Sequence, residues 1–363
     1  MRKKTILSTI LIYSSFFILN PTLNFAQYSV TTYAGSDSGY VNGNISIAKI
    51  SPAFGMCMDK NGNIYIADSG NNCIREIDNN GKVTTFAGTG MQGNDDGTTT
   101  TATFDSPTGI CCDDVGNFYV ADFMNHTIRK IDNTGNVTTL AGSGQPGFAD
   151  GFANEAMFNY PRGIDIDSEG NLYVGDSWNH RIRKITPDGN VTTYAGGGES
   201  IGDGSAGAFL NAQDTDARFY TPCGVSVDNF GNVYVADALN HRIRKIDTFG
   251  NVTTIAGSGG SGFGNGGFQD DADTASVLNT PTEVFAMPDG SVIFSDTYGQ
   301  RIRKVTEDGQ VITLAGNGNT GLVNGNSASA QFNFPRGIAY DPATEKIYVI
   351  DSKNSVIRII EPQ

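Results

Sequence analysis

Three histidines lie in nearly identical surroundings and are the residues best suited to chemistry. His126, His180 and His241 each precede an "x-I-R-K" segment, as in "SWNHRIRK", residues 177–184. An imidazole in this setting could ligate a metal, act as a general base, or lie in a basic patch that contacts nucleic acid. An aspartate lies four residues before each histidine and an arginine three residues after it, a pairing that could serve acid–base catalysis.

The aspartate and the arginine recur throughout the chain. The aspartates are 54, 54, 61, 59 and 55 residues apart, at Asp68, Asp122, Asp176, Asp237, Asp296 and Asp351. A period near 50 residues indicates an array of similar supersecondary units. Each unit resolves into four short strands, A to D, rich in apolar and β-branched residues and separated by turns of Gly, Asn and Asp.

The two ends of the chain predict how the array closes. The first "VTTYAG"-like strand, from Val30 to Gly35, has no strand C before it, and the last strand C, from Ser355 to Ile360, has no strand D after it. The N-terminal strand should complete the last unit, which hides both edges. We predict that residues 27–363 form an all-β, six-bladed β-propeller with four antiparallel strands per blade, the last blade closed by the N-terminal strand.

The recurring pattern "P-x-G-I…D…GN-x-Y-V-A-D…NH-R-I-R-K-I" resembles the NHL repeat. The resemblance extends from about Gln27 to Glu361 and implies a six-bladed propeller. Similar propellers serve as platforms for protein or RNA, as sensor domains and, in a few cases, as enzymes. The resemblance therefore predicts the fold and leaves the function open.

The repeats provide an internal control for the candidate chemistry. A residue type present in every blade is required by the blade itself, so we interpret the aspartate–arginine pairs as hydrogen bonds that lock each blade. The histidines share one repeat position on strand C, two strands of about 4.8 Å from the channel wall, which places neighbouring copies about 15 Å apart. Zinc–nitrogen bonds are about 2 Å long, so we predict hydrogen-bonding histidines and no metal site.

One end of the propeller differs between blades. The B–C loops and the long D–A connections share this end, which we call the loop face. Large apolar side chains occur in the B–C loops of four consecutive blades, at Phe123, Met124, Trp178, Leu239 and Tyr298. If these residues are exposed, they form an apolar arc suited to binding; alternatively, the D–A connections cover them.

The D–A connections themselves contain a recurring "DG…A-x-F" pattern. We interpret Asp96 and Asp150 as caps of short helical turns, and Phe104 and Phe158 as anchors in the core.

Two arginines distinguish the inner strands. The residue after the strand A proline is Ala53, Thr108, Arg162, Cys223, Thr282 or Arg336. Arg162 and Arg336 belong to opposite blades and could hold an anion such as a carboxylate across the channel mouth; alternatively, each pairs with a loop aspartate. Further along strand A, Asp165 is the acidic residue that we place on the inner strands.

Two cysteines also occupy equivalent inner-strand positions in adjacent blades. Cys57 and Cys111 could form a disulfide, or they could be small apolar core residues.

The N-terminus predicts export. Three basic residues, Arg2 to Lys4, precede an apolar run from Ile6 to Leu19, and the small residue Ala26 follows. The pattern is typical of a signal peptide, residues 1–26, and places the protein in the periplasm or outside the cell. The run is shorter than the roughly 20 residues that span a bilayer, so we expect no membrane insertion.

The chain is acidic, with a formal net charge of −14 at pH 7. Such a surface repels the phosphate backbone of nucleic acid and the headgroups of anionic lipids. We therefore expect no nucleic-acid partner, and we predict a monomer.

These observations favour a non-enzymatic binding platform whose loop face holds a protein, peptide or glycan, or a fixed partner in an envelope assembly. The alternative is an enzyme of the lyase or lactonase type with a site at the channel mouth, as on similar propellers. Such enzymes place metal ligands at the mouth, where this chain has Arg, Thr and Cys, and the sequence contains no G-x-S-x-G or H-E-x-x-H motif. We predict no catalytic residue and no cofactor.

Overall fold

Six antiparallel β-sheets surround a central channel. The computed structural model describes residues 28–197 and 208–363, so the predicted signal peptide lies outside the described residues. The inner strand of each sheet contacts the inner strands of both neighbours, and the first blade meets the last, which closes the ring. Among the described residues, no helix is long and apolar enough to cross a membrane.

The strands follow one another in chain order, beginning with β1 (Tyr28–Ala34). Blade 1 contains β2 (Gly43–Asn44), β3 (Met56–Met58), β4 (Ile64–Asp68), β5 (Cys73–Ile77) and β6 (Lys82–Ala87). Blade 2 contains β7 (Gly97–Thr98), β8 (Pro107–Cys112), β9 (Phe118–Asp122), β10 (Thr127–Ile131) and β11 (Asn136–Ala141). Blade 3 contains β12 (Gly151–Phe152), β13 (Pro161–Ile166), β14 (Leu172–Asp176), β15 (Arg181–Ile185) and β16 (Asn190–Ala195).

The second half of the ring repeats this arrangement. Blade 4 contains β17 (Pro222–Val227), β18 (Val233–Asp237), β19 (Arg242–Ile246) and β20 (Val252–Ala256). Blade 5 contains β21 (Asp271–Ala272), β22 (Pro281–Ala286), β23 (Val292–Asp296), β24 (Arg301–Val305) and β25 (Gln310–Ala315). Blade 6 contains β26 (Gly325–Asn326), β27 (Pro335–Asp341), β28 (Lys346–Asp351) and β29 (Val356–Pro362), together with β1.

The predicted closure is confirmed. The N-terminal strand β1 pairs with β29 of blade 6, with Ser29 opposite Glu361 and Val30 opposite Ile360. The side chains of Val30 and Ile360 are both buried, so the first and last strands share one core. Closing the ring in this way removes two strand edges that would otherwise be open.

Five of the six blades have a fifth strand that we did not predict. This strand is two residues long and pairs with strand D at the outer edge, as β12 pairs with β16 in blade 3. It belongs to the D–A connection, which therefore reaches the outer edge of the next blade before returning to the channel. In blade 4, a single bridge between Gln213 and Asn251 takes the equivalent place.

A fully buried arginine on strand C locks each D–A connection onto its blade. In blade 3, Arg183 donates through Nη1 to Asp176 Oδ2 (2.8 Å) and to the carbonyl oxygen of Met157 (2.9 Å). Its Nη2 donates to the carbonyl oxygen of Ala149 (2.7 Å) and to Asp150 Oδ1 (2.7 Å). The other blades have the same contacts, with asparagine replacing the loop aspartate in blades 1, 4 and 6, at Arg75, Arg129, Arg244, Arg303 and Arg358. The predicted role of the Asp–Arg pairs is confirmed.

The loop aspartates do not cap helical turns, which corrects our expectation. Asp96 Oδ1 accepts from Arg129 and Asp150 Oδ1 accepts from Arg183. A buried guanidinium group is costly without acceptors, whereas the N–H groups of a short surface turn can bind water. The 3₁₀ turn at 153–155 has no side-chain cap. The predicted anchors Phe104 and Phe158 are fully buried.

The histidines form hydrogen bonds between blades, as predicted. His126 Nδ1 accepts from the backbone N–H of Tyr160 (3.1 Å), and His241 Nδ1 accepts from the backbone N–H of Thr280 (2.9 Å). Blades 1 and 5 use a side-chain amide in the same way, as Gln300 Oε1 accepts from the backbone N–H of Phe334 (2.8 Å), whereas blade 6 has Ser355. The shared position therefore ties five blades to the start of the next inner strand.

The cysteines are free thiols, including Cys57 and Cys111, so the disulfide alternative is not realised. Burial raises the pKa of both thiols well above the usual value. Their surroundings, which include apolar residues of the inner strands, agree with the interpretation as small core residues.

Replacing Arg183 with Met should lower the free energy of unfolding by about 3–5 kcal/mol, because Asp176 stays buried without its cationic partner. The matched control is Lys184→Met, which removes the same charge from the neighbouring, half-buried position and should cost less than about 1 kcal/mol. Urea denaturation of both variants measures the difference. Equal losses would show that the lock does not stabilise the blade.

Candidate functional site

The predicted apolar arc is exposed at three of its five positions. Exposed fractions are 43% for Met124, 42% for Trp178 and 45% for Tyr298, whereas Phe123 is half-buried. Leu239 is only 5% exposed and does not belong to the surface, so the D–A connection covers the arc there. The backbone N–H of Gly262 donates to the carbonyl oxygen of Leu239 (2.7 Å), which holds the covering loop in place.

Aromatic rings from two blades meet beside the channel mouth. The ring of Tyr160 lies 4.8 Å from the ring of Phe123 and 4.8 Å from the indole of Trp178, centroid to centroid. Phe123 comes from blade 2, whereas Tyr160 and Trp178 come from blade 3. We call these three residues the Tyr160 cluster.

A second group lies across the mouth. The ring of Phe334 lies 4.8 Å from the ring of Tyr298, and Lys353 Nζ lies 3.7 Å from the Phe334 centroid. We call Tyr298, Phe334 and Lys353 the Phe334 cluster. It repeats the arrangement of the Tyr160 cluster in blades 5 and 6, on the opposite side of the ring.

Both clusters are built where the repeat is broken. Tyr160 and Phe334 precede the strand A proline, a position that holds serine or threonine in the other four blades. Their φ values of +55° and +58° match the +53° of Ser106, Thr221 and Thr280 before three other strand A prolines, so the left-handed backbone belongs to the repeat. Only the bulky side chains are exceptional at this position.

Phe123 is another departure from the repeat. Its counterparts Ser177 and Thr297 donate through Oγ and Oγ1 to the carbonyl oxygen of the next strand A proline, at 2.6 and 2.7 Å. Phe123 cannot form this bond, and its ring instead lies 4.8 Å from the guanidinium carbon of Arg162. An interblade hydrogen bond has thus been replaced by an aromatic support for an arginine.

The two inner-strand arginines face the same small cavity at the channel mouth. The cavity has a volume of about 20 Å³, and its lining includes Arg162, Arg336, Phe54, Cys223 and Glu283. Among the described residues, neither guanidinium has a carboxylate partner, so the alternative of loop ion pairs is wrong. Arg336 instead stacks on Phe54, with 4.0 Å between the guanidinium carbon and the ring centroid.

Blade 1 aligns differently from our expectation. Met56 pairs with Ile66 as Ile110 pairs with Val120 in blade 2, so Phe54, not Ala53, occupies the position equivalent to Arg162. Blade 1 has one extra residue after the proline, which shifts the alignment.

The next inner-strand position forms the tightest contact between neighbouring inner strands. It is glycine in five blades, and a Cβ on Gly109 would lie 2.2 Å from the carbonyl oxygen of Arg162. In blade 5 the position holds Glu283, whose backbone N–H donates to Ser295 Oγ (3.0 Å). Around the channel, this position therefore presents the backbone of five glycines and the carboxyl group of Glu283.

Burial dominates the electrostatics of this ring. Burial, helped by the charge of Asp165, raises the pKa of Glu283 to about 8. Burial and the nearby charge of Arg162 lower the pKa of Arg336 to about 10. At pH 7 the mouth thus holds two cations and a mainly protonated carboxyl group.

Asp165, the acidic residue that we placed on the inner strands, is held inside the channel. Its Oδ2 accepts from the backbone N–H of Val227 (2.8 Å) and from Ser226 Oγ (3.2 Å). Burial raises the pKa of Asp165 to about 6. Among the described residues, no three His, Cys, Asp or Glu side chains are grouped so as to hold a metal.

Four residues of the site were missed from the sequence: Tyr160, Phe334, Glu283 and Phe54. The repeat contained the information for the first three, because each is the bulky exception at an otherwise small position. Tyr160 and Phe334 directly precede the strand A proline and Glu283 lies two residues after it, whereas the predicted mouth residues Arg162 and Arg336 directly follow it.

The fold and its channel define the protein as a six-bladed β-propeller. A family model described as NHL repeat matches residues 55–77, 104–131 and 158–185, in the first three blades. The chain is thus a six-bladed β-propeller with NHL repeats in its first three blades, in agreement with the resemblance.

Two relatives are much longer than this chain. Protein SUPPRESSOR OF QUENCHING 1, chloroplastic, from Arabidopsis thaliana is 31% identical over 244 residues, which cover 62% of this chain and 22% of that protein. NHL repeat-containing protein 2 from Bos taurus is 28% identical over 284 residues, which cover 71% of this chain and 39% of that protein. The chain thus spans less than half the length of either relative.

Solved structures share the fold at low identity. An auxiliary nutrient binding protein from Bacteroides thetaiotaomicron superimposes with a TM-score of 0.69 at 17% identity, covering 93% of this chain and 76% of that chain. Virginiamycin B lyase from Staphylococcus aureus superimposes with a TM-score of 0.55 at 14% identity, covering 92% of this chain and 99% of that chain. At these identities the likeness extends to the fold alone.

Replacing Trp178 with Ala should cost less than about 2 kcal/mol of unfolding free energy, because 42% of the residue's surface is already exposed to solvent. Leu239→Ala at the equivalent position of blade 4 should cost about 2–5 kcal/mol, because it leaves a cavity. Thermal and urea denaturation of the two variants measure these losses. A larger loss for Trp178→Ala would place Trp178 in the core.

Glu283 should make the stability depend on pH. Its pKa is about 8 in the folded chain and about 4.3 when unfolded, so the folded state binds the proton more tightly. The free energy of unfolding therefore falls as the pH rises through this interval. Glu283→Gln should match the native chain in Tm near pH 4.5, become increasingly more stable up to about pH 8, and keep a constant advantage above it. A Tm difference that is the same at every pH between 4.5 and 9 would contradict the buried, protonated state.

Proposed function

We propose that the protein is an exported NHL-repeat propeller that binds a protein, peptide or glycan on its loop face and does not transform it. The Tyr160 cluster carries this proposal. Its three rings are contiguous, its indole is 42% exposed, and Tyr160 lies at a position where four other blades have serine or threonine. Exposed aromatic residues beside a concave mouth are typical of binding sites.

The attachment of the loop face supports the same function. Six buried arginines hold the described parts of the D–A connections, so a ligand does not need to order these parts on binding. A preorganised surface binds more tightly because it loses less conformational freedom. One solved structure with this fold is named as a nutrient-binding protein, which agrees with a binding role.

Glu283 favours the second candidate, an enzyme of the lyase or lactonase type. A buried carboxyl group with a pKa of about 8, close to two arginines in a channel mouth, has the properties of a general acid. The two candidates differ in the fate of the ligand. Mass spectrometry after prolonged incubation shows an unchanged ligand for a binding protein and a product for an enzyme.

The Trp178→Ala variant tests the binding function. The native protein, immobilised and exposed to envelope and medium fractions and to peptide and glycan arrays, should retain a ligand that Trp178→Ala loses by at least about tenfold. The matched control is Phe230→Ala, which removes an aromatic residue that is 79% exposed in the A–B turn on the opposite face. Equal retention by all three proteins would contradict binding through the loop face.

A further inference from the structure

We propose that Arg162 and Arg336 together bind the carboxylate of the ligand at the channel mouth. This inference deepens the proposed binding function, since it names the chemical group that the site recognises. The rest of the ligand would lie on the aromatic clusters that flank the mouth.

Neither guanidinium has an ionic partner among the described residues. Each of the arginines in the six blade locks donates to a carboxylate or amide oxygen and to backbone carbonyls, whereas Arg162 and Arg336 make no such bond. Arg162 Nε is buried without a hydrogen-bond partner, as is Nε of five lock arginines, so Arg162 and Arg336 differ from the locks in their terminal nitrogens, which form no hydrogen bond within the described chain. Cations desolvated in this way need an anion, and the described chain does not supply one.

Aromatic rings support both groups and accept none of their hydrogen bonds. The guanidinium carbon of Arg162 lies 4.8 Å from the Phe123 ring centroid, and that of Arg336 lies 4.0 Å from the Phe54 centroid. The N–H donors of a guanidinium group lie in its plane and match the two oxygens of a planar carboxylate. The aromatic rings therefore support the two guanidinium groups without using their N–H donors.

The two arginines are close enough to act on one anion. Both line the same cavity, and the positive charge of Arg162 contributes to the lowered pKa of Arg336. The cavity volume of about 20 Å³ is little more than the space for one water molecule, so it admits the oxygen end of a small group and not a whole sugar or amino acid. A carboxylate is flat and smaller than a tetrahedral phosphate, which favours it as the group that enters.

The other polar groups of the mouth do not neutralise this pair. Glu283 faces Arg336 and Asp165, and its carboxyl group is mainly protonated at pH 7 because its pKa is about 8. Burial also raises the pKa of Cys223, which lies between the two arginines and Glu283, so its thiol is uncharged. The mouth is thus a local cationic site in a protein of net charge −14.

Two kinds of ligand would supply such a carboxylate: the free C-terminus of a peptide and the acid group of a uronic acid sugar. Isothermal titration calorimetry with paired probes distinguishes them. One pair is N-acetyl-L-tryptophan and its carboxamide, and the other is digalacturonic acid and its methyl ester. In at least one pair, the acid should bind about tenfold more tightly than its neutral counterpart.

Variants test whether the arginines are responsible. Arg162→Gln and Arg336→Gln should each abolish the preference for the acid, and Arg162→Lys and Arg336→Lys, which keep the charge, should retain part of it. The control Lys82→Gln removes one charge at the C–D turn on the opposite face and should keep the full preference. Circular dichroism and Tm show whether each variant is folded. If a glutamine variant is unfolded, the lysine variant at the same position is used in its place.

Three outcomes would overturn the proposal: equal binding of acid and neutral probes, a preference that survives both glutamine variants, or displacement of the acid by inorganic phosphate at equal concentration. Loss of preference in Lys82→Gln would do the same, because it would indicate a long-range charge effect. The proposed function is tested separately by the retention of a ligand on the immobilised protein. If that retention depends on Trp178 but not on Arg162, the loop face binds the ligand without a carboxylate site.

Discussion

The buried pair of aspartate and arginine in every blade is the interaction on which the rest of the structure depends. Two charges removed from water are tolerated only when they are paired and further hydrogen bonds surround them. Here the backbone carbonyls of the D–A connection supply acceptors for the two terminal nitrogens of each arginine, as Met157 and Ala149 do for Arg183. If the connection left the blade, the buried N–H groups of the arginine would lose these acceptors.

This requirement explains how long, glycine-rich and polar connections become an ordered surface. Their own apolar content is small, mainly one anchoring residue such as Phe158, which is buried at the outer part of the blade. The arginine supplies the remaining attachment from beneath. The loop face is therefore held by the electrostatics of the blade and by one hydrophobic anchor per connection.

Because the same Asp–Arg lock is present in all six blades, the blades have the same supporting structure. The candidate site lies at the positions where the blades differ in sequence. Blades 3 and 6 each place an aromatic residue before the strand A proline and an arginine after it, as Tyr160 and Arg162 or Phe334 and Arg336. Opposite blades with matching exceptions give the mouth an approximate two-fold arrangement. Glu283 of blade 5 breaks that arrangement, so the mouth has a defined orientation for a ligand.

Much of this protein could be derived from its sequence. The repeat predicts the six blades, the four main strands of each blade and the closure by the first strand. It also predicts the structural role of the Asp–Arg pairs and histidines, and the location of Arg162 and Arg336 on opposite blades. These features follow because hydrogen bonds within a blade depend on positions that recur at a constant spacing. Only the tertiary structure decided that Trp178 is exposed while Leu239, its counterpart, is covered, because that depends on the path of a connection more than 20 residues further along the chain. The tertiary structure also decided that Phe123 supports Arg162 and that Phe54 supports Arg336, because these partners come from different blades and meet only when the blades pack together.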